Sequence, residues 1–237
     1  MTAMPPNSIL ALLATLDARR LQALFAQDAD RAAQWVHAVA ADGVAQAQVC
    51  YGRMLLEGTG VPRDPVAALG WFRLAAAQGD ADAINMVGRC HDNGWGTAVD
   101  PAAAAGHYTR AAAAGHAWAK YNLGHLYLDG RGVQRDFAKA CASYRSAADQ
   151  GHMRAMNLLG RCLEEGWGAT RDLAGAAKWY RRSAEAGYFR GQYNWATLLL
   201  TAGRHDEALM WLQRAASGGT EGVRRAVRRL TNHWDAT

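Results

Sequence analysis

The chain has 237 residues, half of them apolar, with 25 glycines, only five prolines and a formal net charge of +5. That length allows one or two compact domains or an elongated array, and the alanine-rich, proline-poor composition favours an all-helical protein. No stretch is apolar for long enough to cross a membrane as a helix. With three lysines among 26 basic residues, the positive balance is an arginine bias that carries little functional weight by itself.

The N-terminal stretch "MTAMPPNSILALLATLDARR" holds a short apolar run, Ile9 to Leu16. No basic residue precedes the run, and Arg19 and Arg20 follow it, so it reads as a first helix over 8–16 and not as a secretory signal. From there the chain repeats every 36 residues. Asp28, Asp64, Asp100, Asp136 and Asp172 share one register, and Gly43, Gly79, Gly115, Gly151 and Gly187 share a second. Gly52, Gly88, Gly124 and Gly160 share a third. Residues 1–44 form a degenerate N-terminal repeat or cap, which keeps Asp28, Trp35 and Gly43 but has Leu16 where later units have the helix glycine.

Four full units follow, 45–80, 81–116, 117–152 and 153–188, each predicted to be two helices. In "AWAKYNLGHLYLDG" (117–130), small or apolar residues at 119, 123 and 127 form one helical stripe. Gly124 sits inside that helix at a cost of about 1 kcal/mol relative to alanine, offset where the partner helix comes too close for a side chain. The loop "DGRGVQRD" (129–136) has glycines suited to positive φ. The register aspartate then caps the second helix, and Asp64-Pro65 and Asp100-Pro101 pair that cap with proline at the first helical position. A second helix such as "LAGAAKWYRRSAEAG" (173–187) ends on the register glycine, suited to a left-handed C-terminal position.

The end of the chain departs from the register, as array ends do. Residues 189–220 form a shortened unit. In 221–237, "EGVRRAVRRL" puts Val223, Val227 and Leu230 on one face and four arginines elsewhere, a capping helix and tail. The tripeptides Gly94-Trp95-Gly96 and Gly166-Trp167-Gly168 fall in the inter-helix turn, where Thr59 and Arg131 occupy the tryptophan position of other units. The glycines are therefore punctuation, and Trp95 and Trp167 are expected to pack over the neighbouring loop. Cys50, Cys90, Cys141 and Cys162 form no CxxC pair and read as reduced thiols. Cys90 and Cys162 hold equivalent positions and read as small buried apolar residues.

Ala119, Leu123, Gly124, Tyr127, Gly130, Gly132, Val133, Asp136, Lys139, Ala140, Ala147, Ala148, Gly151 and His152 give the clearest copy of a longer pattern. It resembles the Sel-1-like repeat, a branch of the tetratricopeptide superfamily, over roughly 45–220, with a weaker extension back to about 8, and the shortened unit 189–220 looks more like a plain tetratricopeptide repeat. The second-helix tryptophan of that pattern is present as Trp35, Trp71, Trp179 and Trp211 but is His107 and Ser143 in the middle units. Some secreted relatives bridge the helices of one unit with two cysteines, whereas no unit here has two. The resemblance implies an all-α, right-handed superhelical solenoid of antiparallel helix pairs, its inner surface lined mainly by first helices. It also implies a non-catalytic protein–protein interaction scaffold, read here as cytoplasmic and bacterial.

Carrying the superfamily's contact positions onto this chain gives a candidate set on the concave face: Arg53, Asn85, Arg89, Trp118, Tyr121, His125, Arg154, Asn157, Arg161, Arg190 and Tyr193. Arginine can grip a carboxylate through two N–H groups, and asparagine can bond an extended peptide backbone. The expected partner is thus a peptide segment of another protein, with an acidic residue or a free C-terminus. No catalytic residue, cofactor or metal site is expected, since there is no nucleophile motif, phosphate-binding loop or HxxxH spacing. Two alternatives stay open: an exported or cell-envelope interaction protein, and a nucleic-acid-associated regulator acting through Arg224, Arg225, Arg228 and Arg229.

Overall fold

A computed structural model describes residues 28–232. The expected helix over 8–16, with Leu16, lies outside the described residues, as does the tail from 233. Among the described residues there are helices and turns but no strand. The chain divides into two compact units, up to residue 116 and from residue 117.

The first unit contains α1 (Ala29–Ala41), α2 (Ala45–Glu57), α3 (Pro65–Ala77), α4 (Ala81–Asn93) and α5 (Pro101–Ala113). The second contains α6 (Ala117–Asp129), α7 (Phe137–Ala148), α8 (Met153–Glu165), α9 (Leu173–Glu185), α10 (Phe189–Thr201), α11 (His205–Gly218) and α12 (Glu221–Asn232). Within each unit, consecutive helices pack on one another. First helices also meet across repeats, α2 on α4 and α8 on α10.

The helix ends follow from the register residues. The carboxylates of Asp28, Asp64, Asp100, Asp136 and Asp172 each accept a backbone N–H from the first turn of the helix that follows, relieving donors that have no partner within the helix. The N–H groups of Asp64, Asp100, Asp136 and Asp172 close the preceding turn, as in Asp64 to the Leu55 carbonyl and Asp172 to the Leu163 carbonyl, both at 2.8 Å. All five glycines at the ends of second helices have φ between 86° and 92°.

The first-helix glycines of the register each sit under an aromatic ring of the partner helix. A Cβ on Gly160 would lie 2.7 Å from the Tyr180 ring, and Gly52, Gly88 and Gly124 stand in the same relation to Phe72, Tyr108 and Tyr144. These rings are fully buried. They follow the tryptophan position by one residue, and Trp35, Trp71, Trp179 and Trp211 are only partly buried. One residue is about 100° of helix rotation. That turns residue 72, 108, 144 or 180 onto the partner helix and leaves the tryptophan at the margin.

The turns also set the contact between units of the repeat. Gly96 and Gly168, both with positive φ, lie against the carbonyls of Pro65 and Phe137, at the start of the preceding unit's second helix, with no room for a Cβ. Trp167 stacks on Phe137 at that same junction, ring centroids 6.2 Å apart, and Trp95 packs against the core around Phe72. The turn tryptophans thus pack on helical residues of the neighbouring unit, where the sequence pointed to its loop.

Candidate functional site

The positions that follow each helix glycine show what the turn tryptophans hold. The Arg89 guanidinium lies 4.9 Å from the centre of Trp95, and that of Arg161 lies 5.1 Å from the centre of Trp167. Each guanidinium thus makes a cation–π contact with the tryptophan of its own turn. Where the turn has Thr59 in place of tryptophan, the corresponding Arg53 instead bonds Asp82 at 2.6 Å. Asp82 also faces the His116 ring at 3.6 Å. His116 and Arg53 together hold its carboxyl below the usual range. In this first unit Asn85 is buried, and Arg89 also reaches the Met86 sulfur.

The remaining eight candidate residues fall in the second unit and come together. Tyr121 and His125 on α6, Asn157 and Arg161 on α8, and Arg190 and Tyr193 on α10 line one cavity of about 270 Å³. First helices of three successive repeats therefore supply it. Beside it, Arg154 lies 5.2 Å from the Trp118 ring and 5.9 Å from the Tyr188 ring. Trp118 is the most exposed aromatic of the set, 44% accessible, and meets Tyr121 and His152 edge-on. Burial, with Tyr188 nearby, pushes the Tyr121 hydroxyl above its ordinary value, and Arg154 and Arg190 oppose that shift.

Asn157 is itself buried. Its side-chain oxygen accepts an N–H from Asn194 at 2.8 Å, so Asn194 is the amide at the opening. The acidic positions one turn after the helix glycine are committed inward: the Tyr180 hydroxyl donates to Glu164 at 2.6 Å and the Tyr108 hydroxyl to Asp92 at 3.3 Å. The cavity mouth is accordingly dominated by arginine and aromatic edges. At the chain's end, the expected arginine cluster is partly engaged, since Arg224 and Arg228 both bond Glu221, at 2.9 and 2.6 Å.

Sequence reasoning missed Tyr188, Leu158, Asn194 and Val223, which complete the lining. Leu158 and Asn194 are 36 residues apart and each follows a candidate, Asn157 and Tyr193, by one residue, so that register position was the signal for two of them. Val223 comes from α12, outside the repeat, where no register applies.

The Sel1 repeat family model matches five segments, 43–80, 81–116, 119–152, 154–188 and 190–220. A Sel1 repeat protein of Oxalobacter formigenes has a similar structure, with a TM-score of 0.78 at 26% identity over 95% of this chain and 87% of that one. The protective antigen c5321 of uropathogenic Escherichia coli, which displays an SLR fold, gives 0.72 at 31% identity over 86% of this chain. The match spans 44% of that antigen's length. A putative Sel1 repeat protein of Klebsiella pneumoniae, 19% identical, shares the fold with a TM-score of 0.56 over 84% of this chain and 99% of that one. Comparison with curated proteins returns no match.

Proposed function

Because the chain belongs to the Sel1 repeat family, whose members are generally non-catalytic protein-interaction scaffolds, we propose that it captures a peptide segment of a partner protein in the cavity between α6, α8 and α10. The observation that carries this reading is the convergence of Arg161 and Arg190 with Tyr121, Tyr193 and the Asn157–Asn194 pair around one opening. Two guanidinium groups at a small mouth favour a carboxylate, either a free C-terminus or an acidic side chain. The aromatic edges offer rigid apolar surface beside it, and the Asn194 amide offers bonds to an extended backbone. Arg53, Asn85 and Arg89 are proposed as a second set of contacts on the first unit.

The proposed compartment is the cytoplasm, where thiols stay reduced. Among the described residues no helix is long and apolar enough to cross a membrane.

The test is binding of a pooled random-peptide library, presented once with free and once with amidated C-termini, to the wild type and to Arg161→Glu/Arg190→Glu. Enrichment of free-carboxylate peptides on the wild type, lost in the variant at unchanged helical circular dichroism, supports the reading. Equal recovery on both proteins removes this cavity from the argument.

A further inference from the structure

The repeat boundary between α7 and α8 brings two cysteines together. Cys141 on α7 and Cys162 on α8 sit in one buried cluster. Both are free thiols, and each shifts the acidity of the other. The pair crosses from one repeat to the next, 21 residues apart. The same register places Leu69 with Cys90 and Ala177 with Leu198 elsewhere, so only this junction has two thiols.

The two sulfurs have different surroundings. Cys141 lines a cavity of about 340 Å³ together with Arg145, Ser146, Asp149, Gly168 and Ala169. Cys162 packs in the same buried cluster as Cys141, and Arg145, one turn further along α7, shares the cavity wall with it. Both neighbours hold the Cys141 thiol below its ordinary value. Cys141 is 4% exposed and Cys162 1%, and the Cys162 thiol is pushed up by the neighbouring Cys141 and by burial. A thiol beside an arginine, at the wall of an open cavity, with a second thiol in the same buried cluster, is the arrangement of a reactive cysteine with its resolving partner. Asp149, on the same rim, is the one acidic group lining that cavity.

We propose that Cys141 and Cys162 are a redox-active dithiol, which hydrogen peroxide converts into a disulfide joining α7 to α8. The Cys141 thiolate attacks one peroxide oxygen and the O–O bond breaks. Cys141 becomes a sulfenic acid, and the departing hydroxide takes up a proton to leave as water. The Cys162 sulfur then attacks the Cys141 sulfur, the S–O bond breaks, and a second water leaves with the Cys162 thiol proton. Two thiols are oxidised to one disulfide, and one peroxide is reduced to two waters. The inference stands apart from the binding reading.

The full chain is treated with hydrogen peroxide at neutral pH, quenched with catalase, unfolded, alkylated with N-ethylmaleimide and mapped by mass spectrometry. The expected product is a linked Cys141–Cys162 peptide two hydrogens lighter than the dithiol. Cys50, whose thiol burial pushes up, and Cys90, pushed up to about 11, should remain alkylated. In Cys162→Ser the reaction should stop at a Cys141 sulfenic acid captured by dimedone, and Arg145→Gln should slow wild-type oxidation about tenfold as the thiolate fraction falls. Oxidation of Cys50 or Cys90 while Cys141 and Cys162 are still alkylated overturns the proposal. So does an unchanged rate in Arg145→Gln, which removes the activating contact on which it rests.

Discussion

Replacing a glycine inside a helix by alanine ought to stabilise that helix by about 1 kcal/mol, and at Gly106 it should. That residue lies in α5, and a Cβ there meets nothing within 4 Å. At Gly160 the sign should reverse. The added Cβ would stand 2.7 Å from two Tyr180 ring carbons, where ordinary contact begins at 3.4 Å. The ring is 1% exposed and tied through its hydroxyl to Glu164 at 2.6 Å. Moving it aside therefore strains a charge-assisted hydrogen bond worth about 1.5–3 kcal/mol, and overpacking alone costs about 1–3 kcal/mol. Allowing for the propensity gain, Gly160→Ala should lose about 2 kcal/mol and Gly106→Ala should gain up to about 1. For a chain of this size those changes correspond to a Tm lower by about 4–8 °C and higher by about 2–4 °C. Thermal melts of the two variants beside the wild type measure the difference. A Gly160→Ala protein as stable as Gly106→Ala would show that the ring yields freely, and would refute the claim that close helix approach selects glycine here.

Removing a register cap, as in Asp172→Ala, should cost about 1 kcal/mol in urea denaturation, because the Gly175 N–H now bonded at 2.8 Å loses its acceptor. His107 is held below its ordinary value of 6.5 by burial first, then by His91, Arg110 and Arg73. Its neutral form is the one the fold favours, so the stability it contributes is present above pH 6.5 and is lost as pH falls through its lower folded value. His107→Gln should flatten the stability profile in that window, and a profile identical to the wild type would count against this account. Asp82 behaves alike at more acid pH: held down by His116 and Arg53, its contribution is present above the ordinary value and lost as pH falls through the folded one. Asp82→Asn should remove that acid dependence.

The repeat, the helix-pair architecture and the caps were legible in the sequence because each is local and recurs at one spacing. Asp172 and Gly187 declare a helix's ends without reference to anything distant. The packed ring was harder to read. Trp71 and Trp179 draw attention by size, yet Phe72 and Tyr180 carry the helix contact, and only the pairing with Gly52 and Gly160 reveals it. The candidate cavity was legible in its first-helix positions, such as Tyr121, Asn157 and Tyr193. The role of Trp167 under Arg161 was not, since an aromatic six residues along and outside the helix follows no helical period. The Glu164 carboxylate is likewise not readable from its place on α8, since it turns to the hydroxyl of Tyr180 on the partner helix.

The seat of Gly96 on the Pro65 carbonyl, repeated by Gly168 on that of Phe137, bears on how such a chain can change length. Adding one residue between α4 and α5, or between α8 and α9, would lift the turn off its seat and carry the covering tryptophan with it. Adding 36 residues at a boundary would recreate the same seat one unit later. Chains of this kind can therefore grow or shrink by duplication or loss of a whole unit, each event leaving every surviving junction as it was, whereas small insertions are confined to places where no junction rests.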